Sequence, residues 1–123
     1  MNGKLSIAEY SPKDVKELFT AVNSRQVLAL MFHNDMADLF DFLGLRGFKR
    51  MHEYQYLEES CMHRKMKRDY INHHGMLLPN EDVEPVDIIP YDWYQYNRMA
   101  VTPAVRKQAV QRAMEQYKEW EAD

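Results

Sequence analysis

Cysteine is nearly absent from this sequence of 123 residues, which contains Cys61 alone. A single thiol cannot form a disulfide within the chain, so nothing in the sequence indicates an oxidising compartment. No stretch approaches the ~18 apolar residues that a membrane helix needs, and the first residues lack a basic segment followed by an apolar run. These absences argue against a secreted or membrane-spanning protein and predict a cytoplasmic location.

The sequence also lacks an excess of positive charge. It has 16 Lys and Arg residues against 19 Asp and Glu residues, which gives a net charge of −3. Such a chain has no overall attraction for phosphate backbones or anionic lipid, so neither nucleic acid nor a membrane is the expected partner. The basic strip Arg64–Arg68 leaves nucleic-acid contact as a third hypothesis, which predicts steeply salt-dependent binding.

Glycine is scarce, with four residues in the chain, and this scarcity favours long helices. Ser11-Pro12 is typical of a helix start, and Gly44 is typical of a left-handed helix end. The apolar residues between them stay on one side at 100° per residue. We therefore predict a helix over 12–43, either continuous or formed by two nearly collinear helices that meet at Asn23-Ser24.

The rest of the chain is predicted to contain two more helices. The second runs over 47–74 and ends before Gly75, and the third runs over 103–121 after Thr102-Pro103. Prolines 79, 85 and 90 predict an extended connection over 76–101 that crosses the bundle. The sequence thus predicts an all-α fold, organised as one helical domain over 1–123.

The second helix carries polar residues where an ordinary core helix would carry leucine. Glu59 and His63 lie one turn apart, so both side chains can reach one point, as the ligands of a metal ion must. An antiparallel first helix would bring Asp35 level with Tyr56, between His52 and Glu59 in height. The candidate metal ligands are therefore Glu59, His63, His52 and Asp35. The inner side of this helix is predicted from Phe48, Met51, Met62 and Met66, and the same side carries His52, Gln55, Tyr56, Glu59, His63 and Tyr70. His33 is a second candidate from the first helix, at the edge of its apolar stripe, a position that leaves its exposure to water open.

The same polar residues have a purely structural interpretation. Polar groups inside a protein are usually satisfied by hydrogen bonds to other side chains, and Tyr56, Tyr70 and Gln55 could provide them. Under this interpretation the inward Glu and His residues contribute to stability alone, and no metal is needed. We favour this interpretation over metal binding.

The segment NSRQVLALMFHNDMADLFDFLGLRGFKRMHEYQYLEESCMHRKMKRDYINHHG resembles the first helical hairpin of the ferritin-like superfamily and covers less than half of the chain. That family joins two long antiparallel helices, a long crossover and a second helix pair, with Glu and Glu-x-x-His residues pointing inward. The resemblance implies that Glu59 and His63 correspond to the motif of the second helix and that iron or manganese could bind. The spacing here is Glu-x-x-x-His, and one helix alone follows the crossover, so a complete di-iron site within one chain is not expected.

Together these observations predict a ferritin-like hairpin with an extended crossover and a C-terminal helix, completed as a four-helix core by homodimerisation. The favoured function is a non-catalytic structural or protein-interaction module, because the interior is rich in methionine and no complete catalytic set is present. The alternative is a ferritin-like protein that binds iron or manganese through Glu59, His63, His52 and Asp35.

Overall fold

A computed structural model describes residues 12–95 and 97–122. Three long helices account for most of them: α1 spans Pro12–Phe42, α2 spans Arg46–His74, and α3 spans Pro103–Ala122. The described residues contain no strand, which confirms the predicted all-α class. Two short 3-10 helices, Tyr91–Gln95 and Arg98–Ala100, lie within the connection that was predicted to be extended throughout. The predicted cap residue Ser11 lies outside the described residues.

Helix α1 is continuous through Asn23-Ser24, where the sequence left a break open. Two hydroxyl groups in this region donate to the helix backbone: Thr20 Oγ1 to the Lys16 carbonyl at 2.7 Å and Ser24 Oγ to the Thr20 carbonyl at 3.1 Å. Such bonds to the carbonyl four residues earlier satisfy a serine or threonine hydroxyl within a helix. The Asn23-Ser24 pair therefore does not interrupt the helix.

The reversal between α1 and α2 depends on Gly44, whose φ of 75° lies in the left-handed region. The Leu45 amide donates to the Phe40 carbonyl at 2.8 Å, and the Gly44 amide donates to the Asp41 carbonyl at 3.0 Å. These two bonds form a Schellman motif, the helix end that glycine permits at lowest cost. At the other end of α2, Gly75 also has a positive φ, as its position after His74 predicts.

We expect Gly44→Ala and Gly47→Ala to change stability in opposite directions. A side chain at position 44 would adopt a left-handed conformation, which costs roughly 1–2 kcal/mol, and its Cβ would lie 3.2 Å from Arg106 Nη2. Gly47 lies inside α2 with open space around it, so alanine there should stabilise the fold by about 0.5–1 kcal/mol. Urea unfolding of the two variants measures both effects, and a stable Gly44→Ala protein would contradict the turn described here.

Helix α1 is the centre of the molecule because other elements pack around it. Helix α3 runs antiparallel to it, with Arg106 bonded to the Leu43 carbonyl and Trp120 stacked on Phe32 at 4.5 Å. The core between these helices consists of Phe32, Met36, Leu39, Phe40, Leu43, Ile88, Trp93, Ala109 and Ala113.

The connection between α2 and α3 returns along α1 from its first turns to its end. Leu78 packs with Val15 and Tyr70 in a small second core. Further along, Trp93 contacts the Phe42 ring, and Arg98 donates to the Asp41 carbonyl at 2.9 Å. Arg112 and Gln116 of α3 both donate to the Asp87 carbonyl. Because the connection and α3 pack against α1, much of α2 stays exposed on its far side.

Candidate functional site

Two histidines form the polar centre between α1 and α2. The Nδ1 atoms of His33 and His52 lie 3.1 Å apart, so one ring donates a hydrogen bond and the other accepts it. Both side chains are buried, and for His33 this answers a question that its position at the edge of the apolar stripe left open. His52 also stacks on Phe40, with ring centroids 5.6 Å apart, and meets the edge of Tyr117 at 4.9 Å. The aromatic rings thus shield this histidine pair from water.

Both histidines are held in their neutral form. Burial lowers the pKa of His52 to about 4, with a further lowering from His33 and a smaller opposing effect of Glu121. The pKa of His33 is also lowered, first by burial and then by Arg25, against the opposing effect of Glu121. A charged imidazole in this position would lose its hydration without gaining an adjacent carboxylate partner of sufficient strength. The pair is therefore a neutral hydrogen-bonded contact at pH 7.

The structure separates Asp35 from the other candidate ligands. His33 faces α2, and Asp35 follows it by two residues, which is about 200° around the helix. Asp35 therefore lies on the opposite side of α1, where burial, and then the nearby Asp38 carboxylate, raises its pKa. This rotation of α1, and not the height of Asp35 along the bundle, separates it from α2, and its predicted height level with Tyr56 stays a prediction. The prediction assumed a single contact face for α1, whereas α1 contacts α2 on one side and α3 with the connection on another.

His63 is bound within a chain of polar side chains. Its Nε2 donates to Asn23 Oδ1 at 2.6 Å, and the buried Asn23 amide in turn donates to Asn80 Oδ1 at 2.9 Å. Burial, and then the nearby Lys67 and Arg64, lowers the pKa of His63. This series of hydrogen bonds links α2, α1 and the connection. His63 therefore fits the structural interpretation, in which other side chains provide the hydrogen bonds of an inward polar residue.

Glu59 instead lines a polar pocket of about 300 Å³ beside the histidine pair. The Gln55 amide, at the wall of this pocket, donates to the Tyr117 hydroxyl at 2.7 Å. The Arg25 guanidinium lies 3.7 Å from the ring centroid of Trp120, in a cation–π contact. The lining consists of Arg25, His33, Gln55, Glu58, Glu59, Trp120 and Glu121.

Within residues 12–95 and 97–122, no group of three or more His, Cys, Asp or Glu side chains is arranged to hold a metal ion. His52 contacts His33, His63 contacts Asn23, and Glu59 lines the pocket with His33, so in the described part of the chain no three of the candidate ligands converge on one point. Iron or manganese binding by these residues stays a prediction.

A second feature is the outer face of α2, which points away from α1. We define it by Met51, Tyr54, Leu57, Glu58, Cys61, Met62, Arg64, Lys65 and Arg68, all of them exposed. Sequence reasoning placed Met51 and Met62 on the inner side, and this is wrong, since Met62 is 57% exposed. The inner side is centred on His52 and Tyr70, both of which the sequence also placed inward, and this part of the prediction is confirmed. The spacing of these two buried residues could have revealed the correct rotation of the helix.

Comparison with known proteins adds no family to this description. No protein-family model, no curated protein and no solved structure matches the chain significantly. In the part of the chain that the structure describes, no helix is both long enough and apolar enough to cross a membrane.

Proposed function

We propose that this protein is a non-catalytic interaction module that binds a protein partner through the outer face of α2. One observation carries the proposal: of the 29 residues of this helix, His52 and Tyr70 alone are fully buried. Tyr54, Leu57 and Met62 are 66%, 60% and 57% exposed, and they lie within about two and a half turns of one another. Exposed apolar side chains grouped on one helix face in this way are typical of a protein contact site.

The chemistry of the outer face is suited to a protein partner. Tyrosine and methionine are enriched at protein interfaces, and the flexible methionine side chain adapts to a partner surface. Burial of a side chain such as Leu57 stabilises a complex by roughly 1.5–3 kcal/mol. Charged residues, among them Glu58, Lys65 and Arg68, lie beside the apolar side chains and would supply polar contacts around them.

Photo-crosslinking from Tyr54 tests the proposal, with Tyr94 as a matched control. Both are tyrosines of similar exposure, 66% and 70%, but Tyr94 lies on the connection and not on α2. A benzophenone amino acid in place of Tyr54 should give discrete crosslinked products in cells, and the same substitution at Tyr94 should not. Gel mobility and mass spectrometry identify the products. Equal crosslinking from both positions, or none from Tyr54, would contradict the proposal.

A further inference from the structure

The charges of α2 are divided into two blocks of opposite sign. Residues 53–59 contain three glutamates and no lysine or arginine, and residues 64–68 contain four cations and no carboxylate. The acidic block is centred at 56 and the basic block at 66, so the midpoint between them is Cys61. This cysteine is exposed on the outer face.

We propose that the partner of this surface is a second copy of the chain, and that the two α2 helices pack antiparallel about a two-fold axis at Cys61. This inference rests on the proposed function, because it uses the same outer face. In an antiparallel pair, residues at equal distances from the axis come together, so the exposed Glu58 in the acidic block of one copy faces the exposed cations of the basic block of the other, which are Arg64, Lys65 and Arg68. Two-fold dimers of this kind use the same patch on both subunits.

Three pairs of residues show how the two faces would match. Glu58 and the Arg64 of a second copy both lie three residues from Cys61, and they carry opposite charges. Tyr54 would face Arg68, whose guanidinium can stack on an aromatic ring. Leu57 would face the apolar stem of Lys65, since lysine buries its methylene groups while its ammonium stays in water.

The alternative orientation is disfavoured by the same charges. A parallel pair in register would place glutamate beside glutamate over 53–59 and cation beside cation over 64–68. Like charges across an interface weaken association, whereas complementary charges select the orientation of the partner. Exposed ion pairs contribute at most about 1 kcal/mol each, so the charges set the register and the apolar side chains provide most of the affinity.

Cys61 makes the register measurable. Packed helices lie 8–10 Å apart, and the Cα atoms lie about 2.3 Å from each helix axis, so two facing Cα atoms approach to roughly 4–5 Å. A disulfide requires a Cα separation of about 4.4–6.8 Å. Mild oxidation should therefore join two copies through Cys61. The control is Arg50→Cys in a Cys61→Ser background, because two residues at position 50 would lie about 33 Å apart along the antiparallel pair.

Charge reversal tests the pairing independently of the thiol. In the dimer, Glu58→Lys should raise the dissociation constant about tenfold, because two ion pairs become two repulsive contacts. The double variant Glu58→Lys with Arg64→Glu should restore wild-type association, since the pair is reversed and not removed. Glu84→Lys, an exposed change on the connection, serves as the control and should leave association unchanged. Sedimentation velocity over a range of concentrations measures all four proteins.

The outcomes separate this inference from the proposed function. A dimer that oxidises through Cys61 and recovers in the charge-swapped variant supports both. A monomer at high micromolar concentration overturns the antiparallel dimer, as does a dimer that is indifferent to the charge of position 58. If such a monomer still gives a Tyr54 photo-crosslink to a different protein, the interaction module stands with another partner. If neither dimer nor crosslink forms, both proposals are wrong.

Discussion

Phe32→Ala is expected to lower the free energy of unfolding by about 3–5 kcal/mol, the usual cost of removing a buried phenylalanine. Its side chain is fully buried and lies where all three helices meet. The ring stacks on Trp120 at 4.5 Å with an interplanar angle of 11°, and its edge contacts include His52 at 6.4 Å. The substitution leaves a cavity at the junction of α1, α2 and α3, so the packing of all three helices weakens together.

Urea unfolding of the purified protein measures this effect. Leu77→Ala is the control, because Leu77 is exposed on the connection and its truncation should change stability by no more than about 0.5 kcal/mol. The denaturant dependence should keep its slope while the midpoint moves, since the surface exposed on unfolding is nearly unchanged. A Phe32→Ala protein that loses less than about 1 kcal/mol would show that α3 does not pack on this ring.

The second large effect is a loss of stability in acid. His52 has a folded-state pKa of about 4, against about 6.5 in the unfolded chain. Between pH 6.5 and pH 4 the His52 imidazole binds a proton in the unfolded chain but stays neutral in the folded protein, so acid favours unfolding. The contribution of neutral His52 to the free energy of unfolding is complete above pH 6.5, falls as the pH decreases, and is lost below pH 4. The difference of about 2.5 pKa units corresponds to roughly 3 kcal/mol.

The groups facing His52 shape this pH dependence. His33 across the hydrogen bond lowers the pKa further, and Glu121 of α3 opposes it, while the Tyr117 ring covers the imidazole. His33 and His63 also have lowered pKa values, so they contribute with the same sign. Asp35 acts in the opposite direction, because a raised carboxyl pKa means that its protonation favours the folded state.

Unfolding free energies measured between pH 4 and pH 8 test this prediction. His52→Phe removes the titrating group while keeping a ring against Phe40, so the variant should lose most of the slope between pH 6.5 and pH 4. His73→Gln is the control, since His73 is exposed at the end of α2 and the substitution should leave the curve unchanged. A wild-type protein with constant stability from pH 7 to pH 4 would show that His52 is accessible to water.

Helix ends were the part of the fold that could be predicted from the sequence. Gly44 and Gly75 mark the ends of α1 and α2, and Thr102-Pro103 marks the start of α3. These signals act within one turn of the chain, so they do not depend on how the helices pack. The predicted ranges 12–43, 47–74 and 103–121 therefore differ from the observed helices by at most one residue at each end.

Rotation of the helices could not be predicted as well, because it depends on contacts between distant residues. Met51 and Met62 were placed inward together with His52 and Tyr70, yet of these four residues the histidine and the tyrosine are buried and the methionines are exposed. His52 can be buried because His33, 19 residues earlier, supplies its hydrogen-bond partner. A hydrophobicity pattern assigns polar residues to the surface, and it cannot show that two such residues satisfy each other.

The guanidinium groups that bind the last carbonyls of α1 come from far along the chain. The last turn of α1 contains no basic residue, and its carbonyl groups at Asp41 and Leu43 instead receive Arg98 and Arg106. A nascent chain that has left the ribosome only as far as α2 would lack both guanidinium donors at this helix end. The hairpin therefore gains its guanidinium contacts only after the last quarter of the protein has been synthesised. Completion of the hydrogen bonds at the end of α1 is thus coupled to the packing of α3.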